Sequence, residues 1–145
     1  MDPPDVIVHS SSSGGTQAGL AAGCRLAGLR TRVIGISADE TSPDLTREIR
    51  SIISGLPSLL TLDPSLLAST PIEVDDRFVG GGYGVPTNES REAIELLART
   101  EAIFLDPTYT AKAAAGLISR WRAGEFSDEA SVLFWHTGGQ VGLFA

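Results

Sequence analysis

The stretch "DVIVHSSSSGGTQAGLAAG", Asp5 to Gly23, constrains the fold more than any other part of this chain. Asp5–His9 is short, β-branched and bounded by Pro4 and a row of serines, the pattern of a fully buried strand. Thr16–Leu26 carries no charge until Arg25, so it predicts a buried helix. Between them stand only hydroxyls and glycines. Glycines let successive backbone N–H groups turn toward one point, and the helix that follows adds its own unsatisfied N–H groups and positive end. The physical expectation is an anion cradle over Ser11–Thr16, with Ser11, Ser13 and Thr16 as hydroxyl donors and Gly14 and Gly15 as backbone donors. A phosphate monoester fits such a nest. A glycine-rich loop by itself is equally at home as a surface turn. The dinucleotide pattern G-x-G-x-x-G and the P-loop ending in Gly-Lys-Ser/Thr are both absent from the sequence.

The rest of the chain alternates between strand and helix patterns. Thr31–Ser37 reads as a second buried strand, parallel to the first through the intervening helix. A helix follows with Ser42 as N-cap, Pro43 at its first position and Asp44 near its positive end. Prolines 57 and 64 predict two short helical pieces between Leu56 and Thr70. Ile72–Asp76 reads as a strand, and Val79–Thr87 is too glycine-rich for regular structure. "NESREAIELLARTEA" is an amphipathic helix, Ala102–Asp106 a strand, Thr108–Ala123 a helix, and Ser131–His136 a last strand closed by Gly138 and Gly139. The expected fold class is α/β: an open, mostly parallel sheet flanked by helices in one domain spanning residues 1–145. In such sheets ligands gather at the carboxyl ends of strands. Those ends here are "HSSSSGGT", "LDPTYT" and "HTGG", all rich in hydroxyls or glycine.

Composition narrows the function. With 42% apolar and 20% charged residues, a chain of 145 residues can bury a real core. The net charge of −7 comes with scattered arginines and no basic stripe, which argues against nucleic acid as a partner. No run approaches the roughly 20 apolar residues of a membrane span, and no signal peptide opens the chain. The lone Cys24 excludes an internal disulfide and suits a reducing compartment, so a soluble cytoplasmic protein is expected. No metal-ligand pattern is present. Lys112 is the only lysine, and hence the only side-chain primary amine.

"SSSGGTQAGL", "VDDRFVGGGYGVPT", "EAIELLARTEAIFLDPTYTAKAAAGLI" and "VLFWHTGGQVGLFA" resemble, in order, the C-terminal part of the D-cysteine desulfhydrase/1-aminocyclopropane-1-carboxylate (ACC) deaminase family. Those proteins use pyridoxal 5'-phosphate (PLP) and have the tryptophan synthase β-like fold, fold type II. The resemblance covers nearly the whole chain. It implies that Ser11–Thr16 holds the PLP phosphate, that Tyr83 and Tyr109 are the two active-site tyrosines flanking the substrate, and that Thr110 and Thr137 stand beside the pyridine nitrogen. A hydroxyl there can donate to an unprotonated ring nitrogen. Threonine at both positions resembles the desulfhydrase branch, since ACC deaminases usually carry Glu and Leu. The implied reaction is α,β-elimination of D-cysteine to pyruvate, ammonia and sulfide. ACC deaminase activity and a non-catalytic phosphate-ligand module are the alternatives. The implied complete enzyme is a homodimer acting on a small amino acid.

The sequence also departs from that family. The "GGNK" segment, whose lysine holds the cofactor, is not in it, and Lys112 matches a different family lysine, in "YTGKA", expected to be a structural ion-pairing residue. The resemblance therefore implies an incomplete fold, whose lysine-bearing part is supplied in cis or in trans. Ser12, Ala102 and Ala111 replace usual glycines, and Gly81 and Val141 replace usual prolines. Ser12 is expected to strain the cradle if its φ must be positive.

Overall fold

The computed structural model describes residues 2–138; Gly139 and Val141 lie outside them. β1 (Val6–Ser11) runs into α1 (Gly15–Leu26), then β2 (Arg32–Ser37) into α2 (Ser42–Leu60). A 3-10 turn at Pro64–Leu66 precedes β3 (Glu73–Asp75), and α3 (Asn88–Glu101), α4 (Thr110–Arg122) and β4 (Val132–Trp135) complete the order. The four strands form one sheet in the order β3-β2-β1-β4, and every pairing is parallel. Val8 stands between Ile34 on one side and Phe134 on the other. The α/β class and parallel sheet expected from the sequence are therefore present.

Helices cover both faces, as a parallel sheet requires. Val6, Val8, Ile34 and Ile36 pack with Phe78, Leu105 and the alanines of α3 and α4. On the other face Ala18, Ala21 and Ala22 of α1 meet Leu45, Ile49 and Ile53 of α2. Every residue of β1 is buried, which explains why its sequence shows no alternation. Among the described residues β4 pairs only with β1, and it is partly exposed along its length.

Several expected boundaries move, each for a local reason. Thr41, not Ser42, caps α2: its hydroxyl accepts the Asp44 N–H. Ser42 is inside the first turn because its own groups are used elsewhere, its N–H on Asp76 Oδ2 at 2.6 Å and its hydroxyl on the Val74 carbonyl at 3.2 Å. Asp44 does sit in the first turn, as expected. α2 also runs through Pro57 to Leu60 instead of breaking there. Pro57 is buried, and its carbonyl accepts the Leu62 N–H at 2.9 Å, closing the helix end. The second helical piece shrinks to the 3-10 turn, capped by Asp63 on the Ser65 N–H.

Ala102–Asp106 is not a strand. Ala102 takes φ 54°, the left-handed cap of α3, and turns the chain out of line with the sheet. Leu105 then drops into the core while Ile103 and Phe104 stay exposed. Among the described residues no helix is long and apolar enough to cross a membrane, and no cluster of His, Cys, Asp or Glu could hold a metal ion.

Candidate active site at the strand ends

The carboxyl end of β1 opens into a cavity of about 330 Å³ lined by Ser10–Gly14, Thr16, Tyr109 and Thr137. The turn is made by Gly14, the N-cap of α1, at φ 79°. A side chain is excluded there twice over, since a Cβ would also lie 2.8 Å from Ile49 Cγ1. With glycine at the cap, no side chain takes the first N–H groups of α1, and its first turn holds no acidic residue. Ser10 and Ser11 are more than nine-tenths buried, and their hydroxyls have no partner among the described residues. Buried hydroxyls without partners are costly, and both residues line the cavity. None of the lining side chains is charged. The positive potential comes from the helix end alone. Hydroxyls, turned N–H groups and an uncapped helix fit a phosphate monoester.

Ser12 does not strain the loop. Its φ is not positive, and its hydroxyl donates to Asp39 Oδ2 at 2.8 Å, which braces the cradle against the loop after β2. Ser13, Gly15 and Thr16 are exposed at the start of α1, with Ser13 and Thr16 on the cavity wall.

Tyr83 and Tyr109 come together although 26 residues separate them: their hydroxyls hydrogen-bond. Their rings meet edge to face with centroids 5.6 Å apart. Tyr109 lines the cavity, whereas Tyr83 stands further out and is 59% exposed. The bond from Tyr83, with partial burial and the carboxylates of Asp39 and Asp106, pushes the Tyr109 phenol up to about 12.

The two threonines part company. Thr137 is exposed and lines the cavity. Thr110 is buried. It gives its hydroxyl proton to Asp106 Oδ1 at 2.7 Å and accepts the Asp106 N–H at 2.8 Å. Its hydroxyl is therefore engaged in starting α4 and does not line the cavity.

Sequence reasoning did not single out Asp106, Gln17 or His9. Asp106 accepts the N–H groups of Thr108, Tyr109 and Thr110. Burial raises its carboxyl, but these bonds outweigh that and hold it below the usual range. The Asp-Pro-Thr-Tyr-Thr order was a readable signal, being an acid three and four residues before N–H groups of a helix start. Gln17 passes over Gly35, where any Cβ would collide with it, and its amide donates to the Glu73 carbonyl at 2.5 Å. His9 is wholly buried in β1 with Nδ1 2.7 Å from the Ser10 carbonyl. Desolvation keeps its imidazole below the ordinary value, hence neutral near pH 7. Among the described residues no acid pairs with Lys112, in contrast to the ion pair that the sequence leads one to expect. The lysine is fully buried and donates to three backbone carbonyls.

A parallel α/β sheet has, at the end of a central strand, a glycine-turned loop that fits a phosphate, with Tyr109 and Thr137 beside it. Comparison with known proteins specifies the class of protein. The profile of the family of pyridoxal-phosphate dependent enzymes matches residues 1–138, and the chain belongs to that family. Its cofactor is PLP. The structure is similar to the crystal structure of an ACC deaminase homologue, at a TM-score of 0.83 and 33% sequence identity over 96% of this chain. The chain spans 41% of the length of that protein.

Proposed function

We propose that this chain is the cofactor-phosphate-binding part, residues 1–145, of a D-cysteine desulfhydrase-like enzyme, completed by a lysine-bearing part in cis or in trans. When bound, PLP supplies an electron sink that acidifies the Cα proton of an amino acid. The residues of this chain bind and orient. Ser10, Ser11, Ser13 and Thr16, with the N–H groups of Gly14 and Gly15, would hold the phosphate. Thr137 would face the ring nitrogen as a neutral donor. Tyr109, backed by Tyr83, would stand over the substrate and keep its proton, because its phenol is held near 12. Thr110 would contribute through the α4 cap that sets Tyr109.

The observation that carries this reading is Thr137 on the wall of the cavity formed by Ser10–Gly14 and Tyr109. A threonine there, where the ACC deaminase branch carries Leu, supports β-elimination of sulfide from D-cysteine. The second reading, ACC deamination, is favoured by the ACC deaminase homologue among the similar structures. The test is to supply the lysine-bearing part and assay both substrates. Sulfide and pyruvate from D-cysteine support the first reading, while ammonia from ACC without sulfide from D-cysteine supports the second. Alone, the chain is expected to bind PLP weakly through the phosphate and to release no sulfide. Its one lysine is buried, so it offers the cofactor aldehyde no accessible side-chain amine.

A further inference from the structure

The chain's single lysine is enclosed by backbone. Lys112 Nζ lies 2.8 Å from each of the carbonyl oxygens of Ala38, Val79 and Gly82. An ammonium has three protons and no acceptor, so this set uses every donor it has. The three carbonyls come from two loops that hold the two sides of the site. Ala38 follows β2, and its N–H donates to the Ser11 carbonyl at 2.9 Å, at the end of the cradle strand. Val79 and Gly82 belong to the glycine loop that carries Tyr83, where Gly80, Gly82 and Gly84 adopt φ of 62°, 112° and 72°. The lysine itself is three residues beyond Tyr109, in the first turn of α4.

That loop has little else to hold it. Among the described residues, the backbone bonds of residues 79–84 stay within residues 76–85. Its ties beyond that range are the two from Lys112 and the one between Tyr83 and Tyr109. A glycine-rich loop has high conformational entropy and needs such an anchor to keep one shape. Three carbonyls turned inward also repel one another unless a cation sits among them. We propose that Lys112 is a positioning residue, an internal cation that fills a cage of backbone carbonyls and so holds the Tyr83 loop within reach of Tyr109 at the mouth of the cradle. The relevance to catalysis rests on the proposed function; the cage does not, and the test below involves no turnover.

Amide hydrogen exchange of the purified chain at pH 7, where the lysine amine carries its proton, reads the order of the Tyr83 loop. Lys112→Met keeps the bulk and removes the charge. In this variant, at pH 7, the N–H groups of Val79, Gly82 and Val85, which bond within the loop or just before it, should exchange with water at least about tenfold faster than in the wild-type chain. Lys112→Ala opens a space in which free ammonium can take the place of Nζ. At pH 7 ammonium chloride should restore the slow exchange, and sodium chloride at equal ionic strength should not. In the wild-type chain, selective ¹⁵N labelling of lysine gives a single Nζ signal. Its protons should exchange with water at least about tenfold more slowly than those of free lysine, because all three are engaged. A folded Lys112→Met chain that keeps the slow exchange of the loop would overturn the proposal. So would equal rescue by sodium, or wild-type Nζ protons exchanging as in free lysine. That last measurement decides the matter even if neither variant folds.

Discussion

Thr110 and Asp106 hold each other at the start of α4: the threonine hydroxyl donates to Oδ1 at 2.7 Å and accepts the aspartate N–H at 2.8 Å. The same carboxylate takes the N–H of Tyr109 at 2.8 Å. The cap therefore sets the direction in which Tyr109 leaves the backbone toward the cavity. Thr110→Val keeps the shape, removes the hydroxyl and leaves the Asp106 N–H unpaired. It should cost about 1–2 kcal/mol, measured by urea denaturation, while Thr110→Ser should cost well under half of that.

The same pair predicts an acid limb. The Asp106 carboxyl titrates lower in the folded chain than when unfolded, because the N–H and hydroxyl bonds outweigh burial. For a depressed carboxyl the stabilisation is fully present above the unfolded value, near 3.9. It is lost as pH falls through the folded value. Asp106→Asn should be less stable than wild type at pH 7, and the gap should close as pH is lowered through that window. Stability curves at a series of pH values from neutral to acid check this, and a constant gap would contradict it.

Two adjacent glycines of the cradle should respond oppositely. Gly14 sits at φ 79° with Ile49 against its missing Cβ, while nothing lies within 4 Å of the Cβ position at Gly15. Gly14→Ala should destabilise by roughly 1–2 kcal/mol and weaken phosphate or PLP binding at least about tenfold. Gly15→Ala should leave the fold and the backbone donors intact. Calorimetric titration with inorganic phosphate distinguishes the two.

Ala102 adopts φ 54° where α3 ends, a conformation that costs an alanine more than a glycine. Ala102→Gly should stabilise the chain by about 0.5–1 kcal/mol despite the greater freedom of the unfolded state. The melting temperature should rise by a few degrees. A fall would show that the turn is held by something other than local backbone preference.

Arg120 is the hub of a buried ionic network. It places Nε and Nη2 on Asp75 Oδ2 at 3.0 and 2.8 Å and reaches Glu73 and Glu125 through Nη1. The Asp75 side chain is 2% exposed, against 59% for its other partner, Arg77. Removing the buried cation leaves the buried carboxylate with only the exposed Arg77, so Arg120→Ala should cost about 3 kcal/mol. Arg77→Ala removes an exposed arm and should cost no more than about 1 kcal/mol. Parallel denaturation of the two variants tests the ordering.

What the sequence determined by itself was the local code. β-branched runs with no alternation meant buried parallel strands. Ser and Gly before an uncharged alanine-rich segment meant a helix start, and "NESREAIELLARTEA" meant an amphipathic helix. Each of these depends on neighbours a few residues away, within reach of propensity and spacing. Tertiary structure decided the rest, because the deciding partners are remote. Nothing near Lys112 in sequence shows that it serves carbonyls 74, 33 and 30 residues away. Ser42 lost the cap to Thr41 because β3 and Asp76 claimed its groups. Ala102–Asp106 has the composition of a strand but gained no ladder, since a single left-handed residue turned it away from the sheet. Thr110 and Thr137 look interchangeable as hydroxyls in the sequence. Burial separated them, committing one to a helix cap and leaving the other on the cavity wall. Pairing energies are local only when the partners are; a buried polar group goes wherever the fold offers it a partner.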